Sequence, residues 1–380
     1  MHRCLELARN GWGYVSPNPM VGAVLVHNDR VIGEGYHQKF GEEHAEVNCI
    51  DSVSEENREL IKESTLYVSL EPCAHFGKTP PCADLIIKHR IQKVVIGCRD
   101  PFKEVDGKGI EKLKAAGLDV VVGVLEYECK DLNKRFFVFN TKCRPYIILK
   151  WAQTADGYIS ASPTELPSQP IPPIFEIVAT QRGEACEDSD NSKPIHDRLF
   201  ISNDYSNRLV HKWRSEEAAI LVGTNTALYD NPELTTRLWA GHSPVRLVLD
   251  MNLRLPSSLK LFNQEVHTII FNSIKQEVEG NPQYYRLNKA DNVIHQMMDA
   301  LYHLKIQSVL VEGGARLLQS FIDEGLWDEV RVITGAAADK YLKQRKGLHA
   351  PLLINAIRID KTTLVNDRVD FFKPVTDLLP

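Results

Sequence analysis

Three soft-metal ligands constrain this chain more than anything else in it. They are His44 and the thiols of Cys73 and Cys82, which stand nine positions apart with Pro72 directly before the first. If they hold one ion, the fold must bring positions 44, 73 and 82 to a common point. One imidazole and two thiolates make three N/S ligands, the number a catalytic zinc uses when its fourth position is kept for water. Glu46, two residues after His44, offers a carboxylate beside such a water without being a ligand. Hydrolytic removal of an amino group needs that pairing, since one group must take a proton from the attacking water and hand one to the departing ammonia. Two blander readings stand beside it. Scattered His and Cys in a long chain are usually core residues. Alternatively His75, lying between the thiols, could complete a four-ligand structural site.

The 380 residues are enough for two to three domains, each with a sizeable core. A net charge of −5 gives no basic footprint for nucleic acid or an anionic membrane. The opening Met1-His2-Arg3-Cys4-Leu5-Glu6 has no continuous apolar run, so no signal peptide is expected. No apolar stretch approaches the roughly 20 residues of a membrane span. Eight cysteines are too few for a disulfide scaffold in a chain this long, and the expected compartment is the cytoplasm.

Hydrophobic periodicity gives an alternating α/β order. A helix over 2–10 precedes a buried strand at Ala23–Val26, a turn at His27–Arg30 and a second strand at Val31–Gly35. Glu43–Asp51 has helical character, with His44 and Glu46 in its first turn, where a helix N-terminus favours negative charge. Strand Thr65–Leu70 delivers Glu71-Pro72-Cys73 at its carboxyl end, where open α/β sheets place their sites. A helix after Cys82, strand Lys93–Gly97, helix Ile110–Ala116 and strand Val120–Gly123 complete the layer, and Cys129–Asn140 reads as one connecting helix. Beyond Arg144-Pro145 strands recur at Tyr146–Trp151, Ala219–Gly223, Arg246–Leu249, His267–Phe271, Ser308–Val311 and Val330–Ile333, and a helix capped at Ser202-Asn203-Asp204 runs to Glu217. Between them 161–197 is a long Pro-rich, acidic insert with at most one short element at Ile174–Thr180, expected to project outward.

The H-x-E…P-C…C arrangement is that of zinc nucleobase deaminases, and the longer His75-Phe76-Gly77-Lys78-Thr79-Pro80-Pro81-Cys82 loop narrows the choice. It resembles the deaminase half of the bifunctional riboflavin-biosynthesis deaminase/reductase family. Pro17-Asn18-Pro19-Met20-Val21-Gly22 is similar to that family's turn before the first strand, which implies that Asn18 contacts the pyrimidine.

The second half extends the resemblance through Leu149–Gly157, Trp213–Thr226, Asp230–Arg237 and Val311-Glu312-Gly313-Gly314. It implies a cytidine-deaminase-like α/β/α domain at 1–143, followed by a dihydrofolate-reductase-like α/β domain at 144–375. The implied cofactors are Zn2+ on His44, Cys73 and Cys82, and NADPH at Thr226, Asp230, Gly314, Ala315 and Arg316. Gly313-Gly314 opening a helix suits an anion, because backbone N–H groups point at it there. Implied substrate contacts are Arg214, Leu234, Arg237 and Glu312, with Lys150 and Asp156 as weaker candidates. Arginine forks suit the phosphate of a ribose phosphate. The segment Arg198-Leu199-Phe200-Ile201 departs from the family pattern, so no contact is carried over from it.

The expected activity is removal of an amino group from a pyrimidine ribose phosphate, followed by NADPH-dependent reduction of the ribosyl chain. The expected partners are that small molecule and a further copy of the chain, without nucleic acid or membrane. A nucleic-acid-editing deaminase would want a basic face with aromatic stacking positions. A deaminase with a second domain kept only for oligomerisation would have no use for Asp230 and Glu312-Gly313-Gly314.

Overall fold

The computed structural model describes residues 1–76, 80–102, 105–160, 201–335 and 348–378. The insert at 161–197, its short element at 174–180 and the departure at 198–200 lie outside the described residues.

Helix α1 (His2–Arg9) turns Cys4, Leu5, Leu7 and Ala8 inward. Strands β1 (Gly22–His27) and β2 (Arg30–Tyr36) form a hairpin. Its turn residues Asn28 and Asp29 both take positive φ, the conformation that tight hairpins ask of Asn and Asp. Next come α2 (Ala45–Asp51), β3 (Thr65–Leu70), α3 (Cys82–Lys88), β4 (Lys93–Cys98), α4 (Lys108–Ala115) and β5 (Asp119–Val122). The sheet order is β2-β1-β3-β4-β5, with β3, β4 and β5 parallel. Leu25, Leu66, Val68, Ile86, Val94, Ile96 and Leu113 form the core between sheet and helices.

The single helix expected over 129–140 is two: α5 (Glu126–Leu132) and α6 (Lys134–Lys142), parted at Asn133. The cause is a buried polar clasp. Asn133 Oδ1 accepts from Met20 N at 2.8 Å, and its Nδ2 donates to Met20 O at 2.9 Å. Satisfying both groups fixes Asn133 at φ −105°, ψ 20°, outside helical geometry.

The second layer opens with β6 (Tyr146–Thr154) and β7 (Tyr158–Ser160). It continues through α7 (Asp204–Glu216), β8 (Ala219–Gly223), α8 (Thr224–Asp230), β9 (Val245–Leu249), β10 (Thr268–Asn272), β11 (Gln283–Arg286), α9 (Val293–His303), β12 (Ser308–Val311) and α10 (Ala315–Asp323). It ends with β13 (Glu329–Gly335), β14 (Leu348–His349), β15 (Ala356–Leu364) and β16 (Asp367–Pro374). Asn203 caps α7 as expected, its Oδ1 accepting from Ser206 N at 3.0 Å. Nine strands order as β11-β10-β9-β8-β12-β6-β13-β16-β15, antiparallel only at β13-β16-β15. The carboxyl ends of the parallel strands therefore share one edge, and α8 and α10 start there.

Charged pairs bind the two layers along α6 and the chain that follows it. Arg144 donates to Asp328 at 2.6 and 2.8 Å. Arg135 donates to the fully buried Glu217 from Nε at 2.8 Å, and Lys134 reaches Glu329 at 2.8 Å.

Candidate active sites

The parallel strands and their helices bring the first three expected ligands together. His44 is the residue before α2, extended at φ −75° and ψ 165°, so its ring turns back over the sheet edge. Cys73 follows β3, and Cys82 is the first residue of α3. His44 Nδ1 lies 3.3 Å from Cys82 Sγ and 3.6 Å from Cys73 Sγ, and all three ligand atoms lie within 4.8 Å of one another. Bonds of about 2.05 and 2.3 Å at a tetrahedral angle would separate N from S by about 3.6 Å. The spacing fits zinc. Cys82 N donates to Cys73 Sγ at 3.3 Å, so the start of α3 already serves a thiolate.

Glu46, in the first turn of α2, is only 3% exposed and lines the same cavity as His44 and Cys73. Burial raises its carboxyl above the ordinary value, which suits a group that must hold and return a proton. Asn18 also lines the cavity. Its Nδ2 meets His37 Nε2 at 3.1 Å, and His37 Nδ1 meets the Glu43 carbonyl at 2.9 Å. With the His37 proton on Nδ1, that ring accepts from Asn18 Nδ2, which fixes the amide at the cavity wall.

Two supporting groups went unread in the sequence. One is His37. The other is Glu71, 4% exposed, whose carboxylate accepts from the backbone of Asp100, Gly107, Gly109 and Ile110 at 2.9–3.2 Å. It ties the Cys73 segment to the loop before α4. Gly109 permits that contact, because a Cβ there would lie 1.9 Å from the Pro72 carbonyl. Asp100 lines the cavity as well, and burial pushes its carboxyl up to about 7.

In the second layer, Gly314 caps α10 and stands close to Thr226, in the first turn of α8. A Cβ on Gly314 would lie 3.6 Å from Thr226 Oγ1, and one on Gly313 only 2.7 Å from Leu317 Cδ2. This bare backbone beside Ala315 and Arg316 suits the phosphates of NADPH. Asp230 ends α8 and is exposed.

The expected substrate residues divide. Arg214 and Glu312 meet each other, at 2.9 and 2.8 Å, with Lys150 Nζ 3.7 Å from Glu312. Burial alone would raise Glu312, but Arg214 and Lys150 outweigh it and hold the carboxyl at about 2. His211 beside them is lowered to about 4, by burial and then by Arg214 and Arg237. Leu234, at φ 54°, turns its side chain into the core with Ile220, Val222 and Val248. Arg237 is half exposed and pairs with Glu233 at 2.8 Å.

Molecules built this way carry two separate chemistries: a hydrolytic deaminase layer and a second layer suited to a phosphorylated cofactor. Residues 1–98 match the family described as cytidine and deoxycytidylate deaminase zinc-binding region, and residues 145–338 match the RibD C-terminal domain. The riboflavin biosynthesis protein RibD of Aquifex aeolicus is 39% identical over 338 residues, 87% of this chain and 85% of that protein. Its Escherichia coli counterpart is 31% identical over 351 residues, 87% of this chain and 85% of that one. The solved Thermotoga maritima diaminohydroxyphosphoribosylaminopyrimidine deaminase/5-amino-6-(5-phosphoribosylamino)uracil reductase superposes with a TM-score of 0.76 at 34% identity, covering 98% of this chain and 97% of that one. The chain belongs to the RibD family of riboflavin-biosynthesis deaminase/reductases.

Proposed function

We propose that the first domain removes the 2-amino group of 2,5-diamino-6-(5-phosphoribosylamino)pyrimidin-4-one as ammonia, and that the second reduces the ribosyl chain to give 5-amino-6-(5-phosphoribitylamino)uracil. The domains divide at Arg144, where the first sheet has ended and β6 begins. The observation that carries the reading is the buried Glu46 carboxyl in the cavity that His44 and Cys73 also line.

His44, Cys73 and Cys82 would hold the zinc, which would supply there a Lewis acid for activating water at neutral pH. Glu46 is placed to take a proton from the attacking water as a C–O bond forms at the ring carbon. It returns a proton to the amino nitrogen as the C–N bond breaks, and ammonia leaves. Asn18, oriented by His37, holds the pyrimidine edge.

In the second domain Thr226, Asp230, Gly314, Ala315 and Arg316 would hold NADPH, which would supply the hydride for the ribosyl carbon. Arg214, Leu234, Arg237 and Glu312 border the substrate, with Arg237 at the rim able to leave Glu233 for a phosphate. Leu234 acts through its backbone, since its side chain belongs to the core.

No helix among the described residues is long and apolar enough to cross a membrane. Seven cysteines among them form no disulfide, which supports a reducing cytoplasm. The edge strand β15 exposes Ile357 and Ile359, and we infer that a second copy of the chain covers them.

Purified protein with zinc, NADPH and the diaminopyrimidine substrate tests the reading. Ammonia should appear without NADPH, and the ribityl product only with it. Ammonia release with no NADPH oxidation on addition of the deaminated intermediate would leave a deaminase alone.

A further inference from the structure

The loop from α8 to β9 carries Leu234 and Arg237, and its residues 231–236 belong to no helix or strand. Leu234 stands in the left-handed region at φ 54°, as Asn231 does at φ 38°. A leucine keeps that conformation only where its surroundings impose it. Here two arginines impose it. Arg246 Nε donates to the Glu233 carbonyl at 2.9 Å, and Arg214 Nη1 donates to the Thr235 carbonyl at 3.3 Å. The carbonyl on each side of Leu234 is thus held by a guanidinium.

Neither chemistry described above uses Arg246. It is the second residue of β9 and is fully buried. The same face of the sheet presents the apolar Ile220, Val248 and Ile270. Its partners are neutral oxygens: besides Glu233 O, they are Asn263 Oδ1 at 2.8 Å and Lys260 O at 3.5 Å. Among the described residues no carboxylate pairs with it, and its Nη2 has no hydrogen-bond partner. A buried cation without a counter-ion is costly, and an apolar side chain would fill the position without that cost. What the arginine supplies is a planar fork of donors that joins the loop at Glu233 to the segment Lys260–Asn263.

We propose that Arg246 is a positioning residue of the reductase site, which by holding the Glu233 carbonyl orients the Leu234 N–H for the substrate. This rests on the reductase reading above. The Glu233 carbonyl and the Leu234 N–H share one planar trans peptide and point opposite ways, so fixing the first fixes the second. The Glu233 side chain extends the anchor, since its carboxylate meets Lys260 and Arg237, each at 2.8 Å. Arg246 therefore acts on both substrate residues of the loop while touching neither the substrate nor the cofactor.

Arg246→Met keeps the length of the side chain and removes every donor. The zinc-loaded full-length enzyme and this variant are compared for reduction of the deaminated ribose phosphate intermediate. The expected result is a KM for that substrate raised about tenfold, with kcat within about threefold and the KM for NADPH within about twofold of wild type. Arg246→Lys keeps a donor of the same charge, and its substrate KM should fall between the two. A lower melting temperature with an unchanged substrate KM would make Arg246 a residue of the fold alone and overturn the inference. So would an equal rise in the KM for NADPH. Should Arg246→Met not fold, Arg246→Lys decides: a substrate KM raised at least about threefold upholds the inference, and a smaller rise overturns it. A wild-type enzyme that oxidised no NADPH with the intermediate would overturn the reductase reading and the inference together.

Discussion

Arg214 clasps Glu312 with both arms of its guanidinium, Nε to Oε1 at 2.9 Å and Nη2 to Oε2 at 2.8 Å. They are 98 positions apart and largely shielded together at the carboxyl edge of the second sheet. Each was expected to touch substrate, yet each is first of all the other's partner. With Lys150 3.7 Å from Glu312, the cluster carries two cations on one carboxylate. A negative ligand group would therefore find net positive charge.

That cluster makes stability depend on acid. Glu312 sits at about 2, below its ordinary value of 4.5. A depressed carboxyl stabilises the fold fully above the unfolded value, and the contribution is lost as pH falls through the folded one. Glu312→Gln should therefore cost about 3–5 kcal/mol at pH 7, because Arg214 and Lys150 are left buried without their anion. The gap to wild type should shrink between pH 4.5 and about 2. Urea unfolding across that range checks it, and a gap independent of pH would refute the linkage.

The two chemistries should be separable. Glu46→Gln keeps the size of the side chain and leaves His44, Cys73 and Cys82 untouched. Deamination should fall by at least about 10²–10⁴-fold, the scale of a lost general base. Zinc content should stay at one per chain, and reduction of supplied deaminated intermediate should remain within about twofold of wild type. Loss of both activities in a folded, zinc-loaded variant would mean that the sites are not independent.

Arg237 tests the reductase assignment from the opposite side. It is 52% exposed in its pair with Glu233, and such a surface pair is worth about 0–1 kcal/mol to stability. If Arg237 binds the substrate phosphate, Arg237→Ala should lose roughly 2 kcal/mol or more of substrate interaction, read as a KM raised about thirtyfold. Ammonia release should be unaffected. Unchanged reductase kinetics would remove Arg237 from the site.

The buried pair that opens the second domain should be costly to break. Arg144 is nearly buried, and its two bonds to Asp328 are short. Asp328 also accepts from Ile147 N at 2.8 Å, so one carboxylate fixes the start of β6 as well. Arg144→Ala should cost about 3–5 kcal/mol, as expected when one partner of a buried pair is removed. Thermal unfolding reads it, and a loss below about 1 kcal/mol would show that Asp328 finds other donors.

What the sequence revealed follows from the range of each signal. His44, Cys73, Cys82 and Glu46 could be read because one ion dictates residue type and spacing, and the parallel strands deliver them to one edge as expected. The Asn203 cap could be read because it acts three residues away. Glu71 could not, because its partners are backbone groups at 100–110 and carry no side-chain signature. Asn133 looked like any polar residue in a helical stretch, since its partner Met20 lies 113 positions away. Leu234 was read as a contact, but its left-handed backbone turns the side chain into the core. Strand β15 was missed for a related reason: nearly every residue in it is exposed, so it has no apolar alternation to recognise.

That exposure leads to the last prediction. Among the described residues β15 is the outer strand of the nine-stranded sheet, bonded on one side only, to β16. A long unpaired edge is a template for another chain unless it is guarded. Arg358 is already spent on Asp370, at 3.3 Å. Ile357 and Ile359 remain 42% and 45% exposed, with Leu352 and Ile354 also apolar and exposed in the segment leading into the strand. A second copy meeting this edge would bury these side chains and satisfy backbone groups at once. Ile357→Asp with Ile359→Lys should therefore give a monomer where wild type sediments as a dimer or larger. Each buried isoleucine is worth about 1.5–3 kcal/mol, so the shift in dissociation constant should exceed about a hundredfold. Zinc content should not change, because the metal cluster lies in the other sheet. A wild-type protein that sediments as a monomer at micromolar concentration would disprove the pairing, as would a double variant that associates as tightly as wild type.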